Sequence, residues 1–273
     1  PTNGNNLFVG WYTGLTDGIY VDPTYVPTES KTLYARWNNP SSFENDDWAT
    51  IIAAVKAGKT ESYSVGDTKQ VDLGEFGVHT LRIANIDTPS ACSGSNYSQS
   101  ACGFVVEFAD VITTGKMNDG TDTSVNGSSN KGGWQYSNMR SYINSSIYNA
   151  LPSDIKRGII NTKVISGYGR YDSSNFTTID KLYLLSIKEV YGSNAGNYDS
   201  AANLTHQLKY YSNNSVTSSS YAAAKKKYNY SNNYWWLRTA YGYGYFNLVN
   251  SGGRYDYYSN TNSYGISPAF RIG

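Results

Sequence analysis

The sequence predicts an α+β fold with few helices, short antiparallel strands and long loops. Three observations carry this. Helical signals, meaning a capping residue followed by an apolar stripe at 3.6-residue spacing, are confined to two stretches, near 46–58 and 137–160. Short apolar runs bounded by Gly, Asn, Asp and Pro recur from residue 78 to the C-terminal end. Between them lie polar segments rich in Ser, Asn, Gly and Thr, such as 113–131 and 193–232, and no repeat period is visible within 39–273.

Taken in order, Leu7–Tyr12 and Thr32–Trp37 read as strands, with turn formers Gly14, Asp17-Gly18 and Asp22-Pro23 between them. Residues 1–38 form a unit too small to bury its own core, so it must lean on a neighbour. Asn38–Ser42 is a linker to the second unit, 39–273. Asp46 or Asp47 can cap a helix that places Trp48, Ile51, Ile52 and Val55 on one face, and Gly58 ends it. Residues 78–87 read as a strand, as do 103–112, although that apolar run suits a helix too. A long loop is expected at 113–131. Ser137 can cap a helix carrying Met139, Tyr142, Ile143 and Ile147, stopped near Pro152. Ser153 can cap the next, with Ile155, Ile159 and Ile160 inward and Lys156 and Arg157 outward. Lys163–Ser166 begins a strand, Asp180–Ser186 is a strongly apolar strand, and Ala222–Lys227 suits a helical turn.

Composition narrows the function. The 273 residues carry a net charge of +1 and only 16% charged side chains, with 27 Tyr and 6 Trp instead. Such a chain has no basic field to attract nucleic acid, and no apolar run long enough to insert in a membrane. It opens at Pro1 with no signal peptide, which suggests a mature or excised fragment of a longer protein. Cys92 and Cys102 flank a flexible polar segment; a disulfide is favoured over free thiols, conditional on an oxidising compartment. Neither His79 nor His206 sits at ligand spacing from the cysteines, so no metal site is expected.

The most informative stretch is 241–264, YGYGYFNLVNSGGRYDYYSNTNSY. Tyr offers large, stiff contact area, and Ser, Gly and Asn offer adaptable hydrogen bonds, the bias of antibody binding loops. Tyr241, Tyr243 and Tyr245 alternate with glycines and would share one face of an extended backbone. Phe246, Leu248 and Val249 can anchor the segment, and Ser251-Gly252-Gly253 is a turn. Beyond it Tyr255 and Tyr257 alternate again, with Tyr258 opposite. The candidate ligand-binding residues are Tyr241, Tyr243, Tyr245, Asn247, Asn250, Ser251, Arg254, Tyr255, Asp256, Tyr257, Tyr258, Asn260, Asn262 and Tyr264. Against this stands a plainer reading, in which the rings are half-buried in a small sheet and bind nothing. Trp235, Trp236 and Phe270 read as core.

Several motifs carry a resemblance. Gly132-Gly133-Trp134, Ser137-Asn138-Met139-Arg140, Leu151-Pro152, Thr178–Ser186, Glu189-Val190-Tyr191-Gly192, Trp235-Trp236-Leu237-Arg238 and Gly265–Ile272 together resemble a bacterial domain family of unknown function, DUF6273, from about residue 78 onward. The frame of the terminal segment, Trp235-Trp236-Leu237-Arg238 at one end and Gly265-Ile266-Ser267-Pro268-Ala269-Phe270 at the other, also resembles the C-type lectin-like variable proteins of diversity-generating retroelements. That resemblance implies a C-type lectin-like fold. It also implies a segment diversified at adenines, where AAY codons yield mainly Tyr, Asn, Ser, Gly and Asp. Phe8, Gly10-Trp11-Tyr12, Gly18 and Thr32–Trp37 resemble the closing half of the Listeria–Bacteroides repeat, the internalin B-type β-grasp repeat of bacterial surface proteins.

The resemblances imply a bacterial cell-surface, extracellular protein that is not an enzyme and binds a variable protein or glycan on another cell, a phage or a host. A fixed-specificity glycan-binding module is one alternative. A glycoside hydrolase is another, its carboxylates drawn from Asp180 and Glu189 or from Glu107 and Asp110. The formylglycine-generating enzymes of the lectin-like fold need C-terminal cysteines, and none follows Cys102. There is no Gly-x-Ser-x-Gly, His-Glu-x-x-His or phosphate-binding loop. No cofactor is expected; calcium at Asp119, Asp122 and Asn126 stays open, although the spacing lacks the closing Glu. Oligomeric state is left open.

Overall fold

The computed structural model describes residues 3–4, 6–119, 132–193, 199–242 and 244–273. Along the chain run β1 (Leu7–Tyr12), β2 (Tyr34–Asn38), α1 (Trp48–Ala57), β3 (Thr68–Asp72), β4 (Val78–Asn85), β5 (Phe104–Phe108) and β6 (Thr113–Gly115). Next come α2 (Asn138–Tyr142), a π-helical stretch (Ile143–Ile147), α3 (Tyr148–Ala150), α4 (Ser153–Lys156), β7 (Thr162–Gly167), β8 (Asn175–Asp180), α5 (Ile187–Tyr191) and α6 (Lys209–Asn213). The chain ends in β9 (Lys226–Tyr228), β10 (Ser231–Asn233), β11 (Trp235–Gly242), β12 (Tyr245–Val249), β13 (Tyr255–Ser259), β14 (Tyr264–Ile266) and β15 (Ala269–Ile272). The result is the mixed α+β class, with short helices and several small sheets.

Two sheets build the main body. One runs β15-β5-β4-β3, antiparallel throughout. The other runs β13-β12-β11-β14-β6, with a single parallel contact between β11 and β14. β5 is buried at every position, which explains why its sequence shows no alternation: neither face meets water. One apolar core joins both sheets to the helices and includes Trp134, Trp235, Trp236 and Phe270.

The N-terminal hairpin β1–β2 rests on α1, as a unit without its own core must. Leu7 enters the main core, Asn38 donates to Thr50 Oγ1 at 3.0 Å, and Arg157 lies 4.5 Å over the Tyr20 ring.

Local capping chemistry sets the helices. Asp47, not Asp46, caps α1 by accepting from the Thr50 N–H at 2.7 Å, while Asp46 is turned to Ser41 and Tyr63. Gly58 closes α1 at φ +65°, a left-handed conformation that costs glycine nothing. Ser137 caps α2 through the Arg140 N–H at 3.1 Å. Ser153, by contrast, is the first helical residue of α4, and no side chain caps that helix.

Two further expectations are corrected. Asp180–Ser186 is not a strand: the ladder is β8, which ends at Asp180. Leu182–Leu185 are fully buried, and their continuous apolarity reflects burial, with one isolated bridge from Tyr183 to Ala269. Within 222–227 the helical turn is a 3-10 turn at Ala222–Ala224, and Lys226 already starts β9. Cys92 and Cys102 are joined in a disulfide.

Candidate functional site: a tyrosine face on the C-terminal sheet

The site is built on β11. Trp235 and Trp236 are fully buried, and their indole N–H groups donate to Ala224 O and Gly115 O at 3.0 and 2.9 Å. Arg238 is 1% exposed and grips Glu189 with both arms, Nη1 to Oε2 at 2.5 Å and Nη2 to Oε1 at 2.6 Å. Glu189 closes a capping box on α5 with Ser186 and accepts from Ser100 and Thr205. Burial works to raise its carboxyl, but the Arg238 guanidinium reverses this and holds it below the ordinary carboxylate value. The Leu185 carbonyl takes the Arg238 backbone N–H at 2.9 Å, so the buried 182–185 run fixes this strand laterally.

On this frame, β12 and β13 hang as an antiparallel meander. The register pairs Tyr245 with Ser259, Asn247 with Tyr257 and Val249 with Tyr255, so these share one face. On it the Tyr241 and Tyr257 rings stack at 3.9 Å and 9°, and Tyr245 meets Tyr257 edge-on at 6.0 Å and 86°. Tyr245 and Tyr257 are 43% and 45% exposed. Tyr255 packs inward on buried Tyr191. A second aromatic cluster occupies the opposite face, where Tyr234, Tyr258 and Tyr264 contact one another and Tyr264 meets Trp236. Asp256 beside the Tyr258 phenol pushes its pKa up.

The candidate residues separate accordingly. Tyr245, Arg254, Tyr257 and Asn262 are exposed; Tyr241, Asn250, Ser251, Tyr255, Asp256, Tyr258 and Tyr264 are half-buried. Two are corrected: Asn247 and Asn260 are fully buried and cannot touch a ligand as the chain stands. Asn247 faces inward because its Nδ2 donates to Thr239 O on the neighbouring strand, and the Asn260 backbone bridges Gly244 and Asn118. Asn250 is engaged too, its Oδ1 accepting from the Gly252 and Arg254 N–H groups to build the expected turn. Tyr243 lies outside the described residues. Tyr241 and Tyr245 do not share one strand: Tyr241 lies on β11, which ends at Gly242, Tyr245 starts β12, and Gly244 turns at φ +65°. The two rings meet through Tyr257 instead.

The face also recruits residues that a search confined to 241–264 misses. The β7–β8 loop lies against Tyr241 and Gly242: Arg170 N–H donates to Tyr241 O at 2.9 Å, and Tyr171, 60% exposed, lies beside Gly242. Its sequence, Gly167-Tyr168-Gly169-Arg170-Tyr171, has the same Tyr/Gly character as the terminal segment, and that was the available signal.

Other chemistry considered from sequence is placed differently. Asp180 is bound by Arg140, Trp134 and Thr178, and Glu107 by Arg82, Lys226 and Tyr211. Asp110 faces His79 at 3.2 Å. Asp180, Glu107 and Glu189 are thus each paired with an arginine or lysine, and Asp110 with the His79 ring. Burial would raise the Glu107 carboxyl, but Arg82 and Lys226 hold it at about 2. Asp199, pushed up by burial, lies under Thr239 and is 7% exposed. His206 does approach the cysteines, contrary to its sequence spacing, 3.9 Å from Cys102 Sγ; the disulfide occupies both sulfurs. Of the calcium candidates, Asp122 and Asn126 lie outside the described residues.

Residues 109–273, more than half of the chain, match a family model described as a domain of unknown function, DUF6273, and the chain belongs to that family. The match begins at 109 and not near 78. No match was found among curated proteins or among solved structures.

Proposed function

We propose that this DUF6273 member is a non-enzymatic ligand-binding module of a bacterial surface protein. In this reading the fold is C-type lectin-like, residues 1–38 close a β-grasp surface repeat, and the 241–264 segment is diversified to bind a protein or glycan on another cell, a phage or a host. The observation that carries the reading is the stacked Tyr241–Tyr257 pair with Tyr245 at its edge, exposed at the end of a strand whose other half is locked by Arg238 and two buried tryptophans. Rigid aromatic rings on a fixed frame bind with little ordering cost. The surroundings support binding over hydrolysis, because three of the four carboxylates of the hydrolase alternative, Asp180, Glu189 and Glu107, are held in ion pairs with arginine or lysine.

A fixed-specificity glycan-binding module is the second reading. It is favoured by Tyr171 and Arg170, which extend the face from outside the terminal segment. One experiment addresses both. The protein and a Tyr241→Ser/Tyr245→Ser/Tyr257→Ser variant are applied to a glycan array and to intact bacterial cells. Loss of a wild-type signal in the folded variant supports a binding face; an unchanged signal sinks it. The gene's 3′ flank separates the two readings. A near-copy of the segment differing only at adenines, beside a reverse transcriptase gene, favours diversification, and its absence favours fixed specificity.

A further inference from the structure

Three arginines of this chain are almost fully buried, and one of them differs from the others. Arg82 and Arg238 each hold a buried glutamate. Arg271, on β15 and 6% exposed, has no carboxylate within ion-pair distance among the described residues. Its Nε donates to Cys102 O at 2.7 Å, and its two terminal nitrogens make no hydrogen bond there. Arg271 lines a cleft of about 530 Å³ at the β15-β5-β4-β3 sheet, with Phe104 and Ile272, away from the tyrosine face. A buried guanidinium with no carboxylate in ion-pair contact is costly to keep. Burial indeed holds its pKa below the ordinary arginine value.

The walls of the cleft say what would compensate it. Val55, Phe104, Ile160 and Ile272 supply apolar surface, while Lys56 and Asp87 supply charged side chains beside Arg271. Gly103, at φ +76°, brings bare backbone against the guanidinium: a Cβ there would sit 3.1 Å from Arg271 Nη2. Asp87 is held close by, its Oδ1 accepting from the Gly103 N–H at 2.5 Å. A planar carboxylate matches the paired terminal nitrogens of a guanidinium. A doubly charged phosphate would meet Asp87. The cleft is in the size range of small-molecule sites.

We propose that this cleft binds a small monocarboxylate with an apolar body, of the size of one or two amino-acid residues, with its carboxylate on Arg271 and its body against Phe104 and Ile160. The site is independent of the tyrosine face and stands or falls apart from it.

The test is calorimetric titration of the full chain with N-acetyl-leucine, leucinamide and inorganic phosphate, repeated on Arg271→Gln. N-acetyl-leucine is expected to bind saturably, and leucinamide and phosphate are not. Arg271→Gln should weaken the acid about tenfold or more, the loss of a charged hydrogen-bonded pair. If that variant misfolds, the guanidinium nitrogen resonances of Arg271 in the wild-type protein report instead: they should shift on titration with the acid and not with the amide. Absence of saturable binding of the acid, equal binding of leucinamide, or an unshifted Arg271 resonance overturns the proposal.

Discussion

The two halves of β11 make opposite use of the same strand. From Trp235 to Ala240 every residue is buried and each polar side chain has a fixed partner, Arg238 above all. At Tyr241 the strand is only half-buried, and that ring stacks on Tyr257 of β13 and not on the core. β12 repeats the division in reverse, with Tyr245 exposed and Phe246–Val249 buried. The lesson is that stability and surface chemistry are separated by position along the strand and not by face. The exposed tip can change its side chains because the frame does not depend on them.

The largest expected effect breaks the frame. Arg238→Met leaves Glu189 buried without its cation, and a lost partner in a buried pair costs about 3–5 kcal/mol. Urea denaturation should show this as a lower midpoint at unchanged slope. A loss below about 1 kcal/mol would mean that the frame is not held by this pair.

Next comes acid. The Glu107 carboxyl sits at about 2 in the folded chain against an ordinary 4.5. A depressed carboxyl contributes stability above its unfolded value and loses it as pH falls through the folded one. The urea midpoint should therefore drop between about pH 4.5 and 2, and Glu107→Gln should flatten this window while lowering stability at neutral pH. An unchanged acid limb in that variant would remove Glu107 from the account.

The tip should be far more tolerant. Tyr257→Ser removes the stacked and edge-on contacts, worth about 0.5–1.5 kcal/mol per aromatic pair. A thermal melt showing a loss comparable to Arg238→Met would erase the distinction between frame and tip. The smallest effect is expected at the β9–β10 turn. Asn229 and Tyr230 adopt φ +48° and +69° there, positions that hairpin turns usually give to Asn and Gly. Tyr230 is 98% exposed, so Tyr230→Gly should raise the melting temperature slightly, by relief of about 1 kcal/mol or less of backbone strain.

Local signals were legible in the sequence. The caps at Asp47 and Ser137, the stop at Gly58, the buried Trp pair and the anchors Phe246, Leu248 and Val249 follow from neighbours a few residues away or from apolarity alone. What escaped depends on partners far along the chain. Asn247 looks like a surface amide until Thr239 O is set beside it. Leu182–Leu185 look like a strand because burial and ladder pairing favour the same residues. The inclusion of Arg170 and Tyr171 in the face, and the meeting of Arg82, Glu107 and Lys226, require the sheets to be assembled first.

The π-helical turn between α2 and α3 has a mechanical role that reaches the tyrosine face. It carries Asn144, whose Oδ1 accepts from the Lys181 and Leu182 N–H groups while its Nδ2 donates to Leu182 O at 2.8 Å. An amide side chain offers the same donor and acceptor as a peptide unit, so Asn144 acts as one rung beside the single bridge that Tyr183 makes to Ala269. A strand displaced by two residues meets an equivalent rung; a shift of this segment would break both the Asn144 contacts and the Tyr183–Ala269 bridge. Leu182–Leu185 are thereby pinned against slippage, and the Leu184 and Leu185 carbonyls that receive Arg238 keep their height. One asparagine thus indexes the strand from which the exposed tyrosines hang.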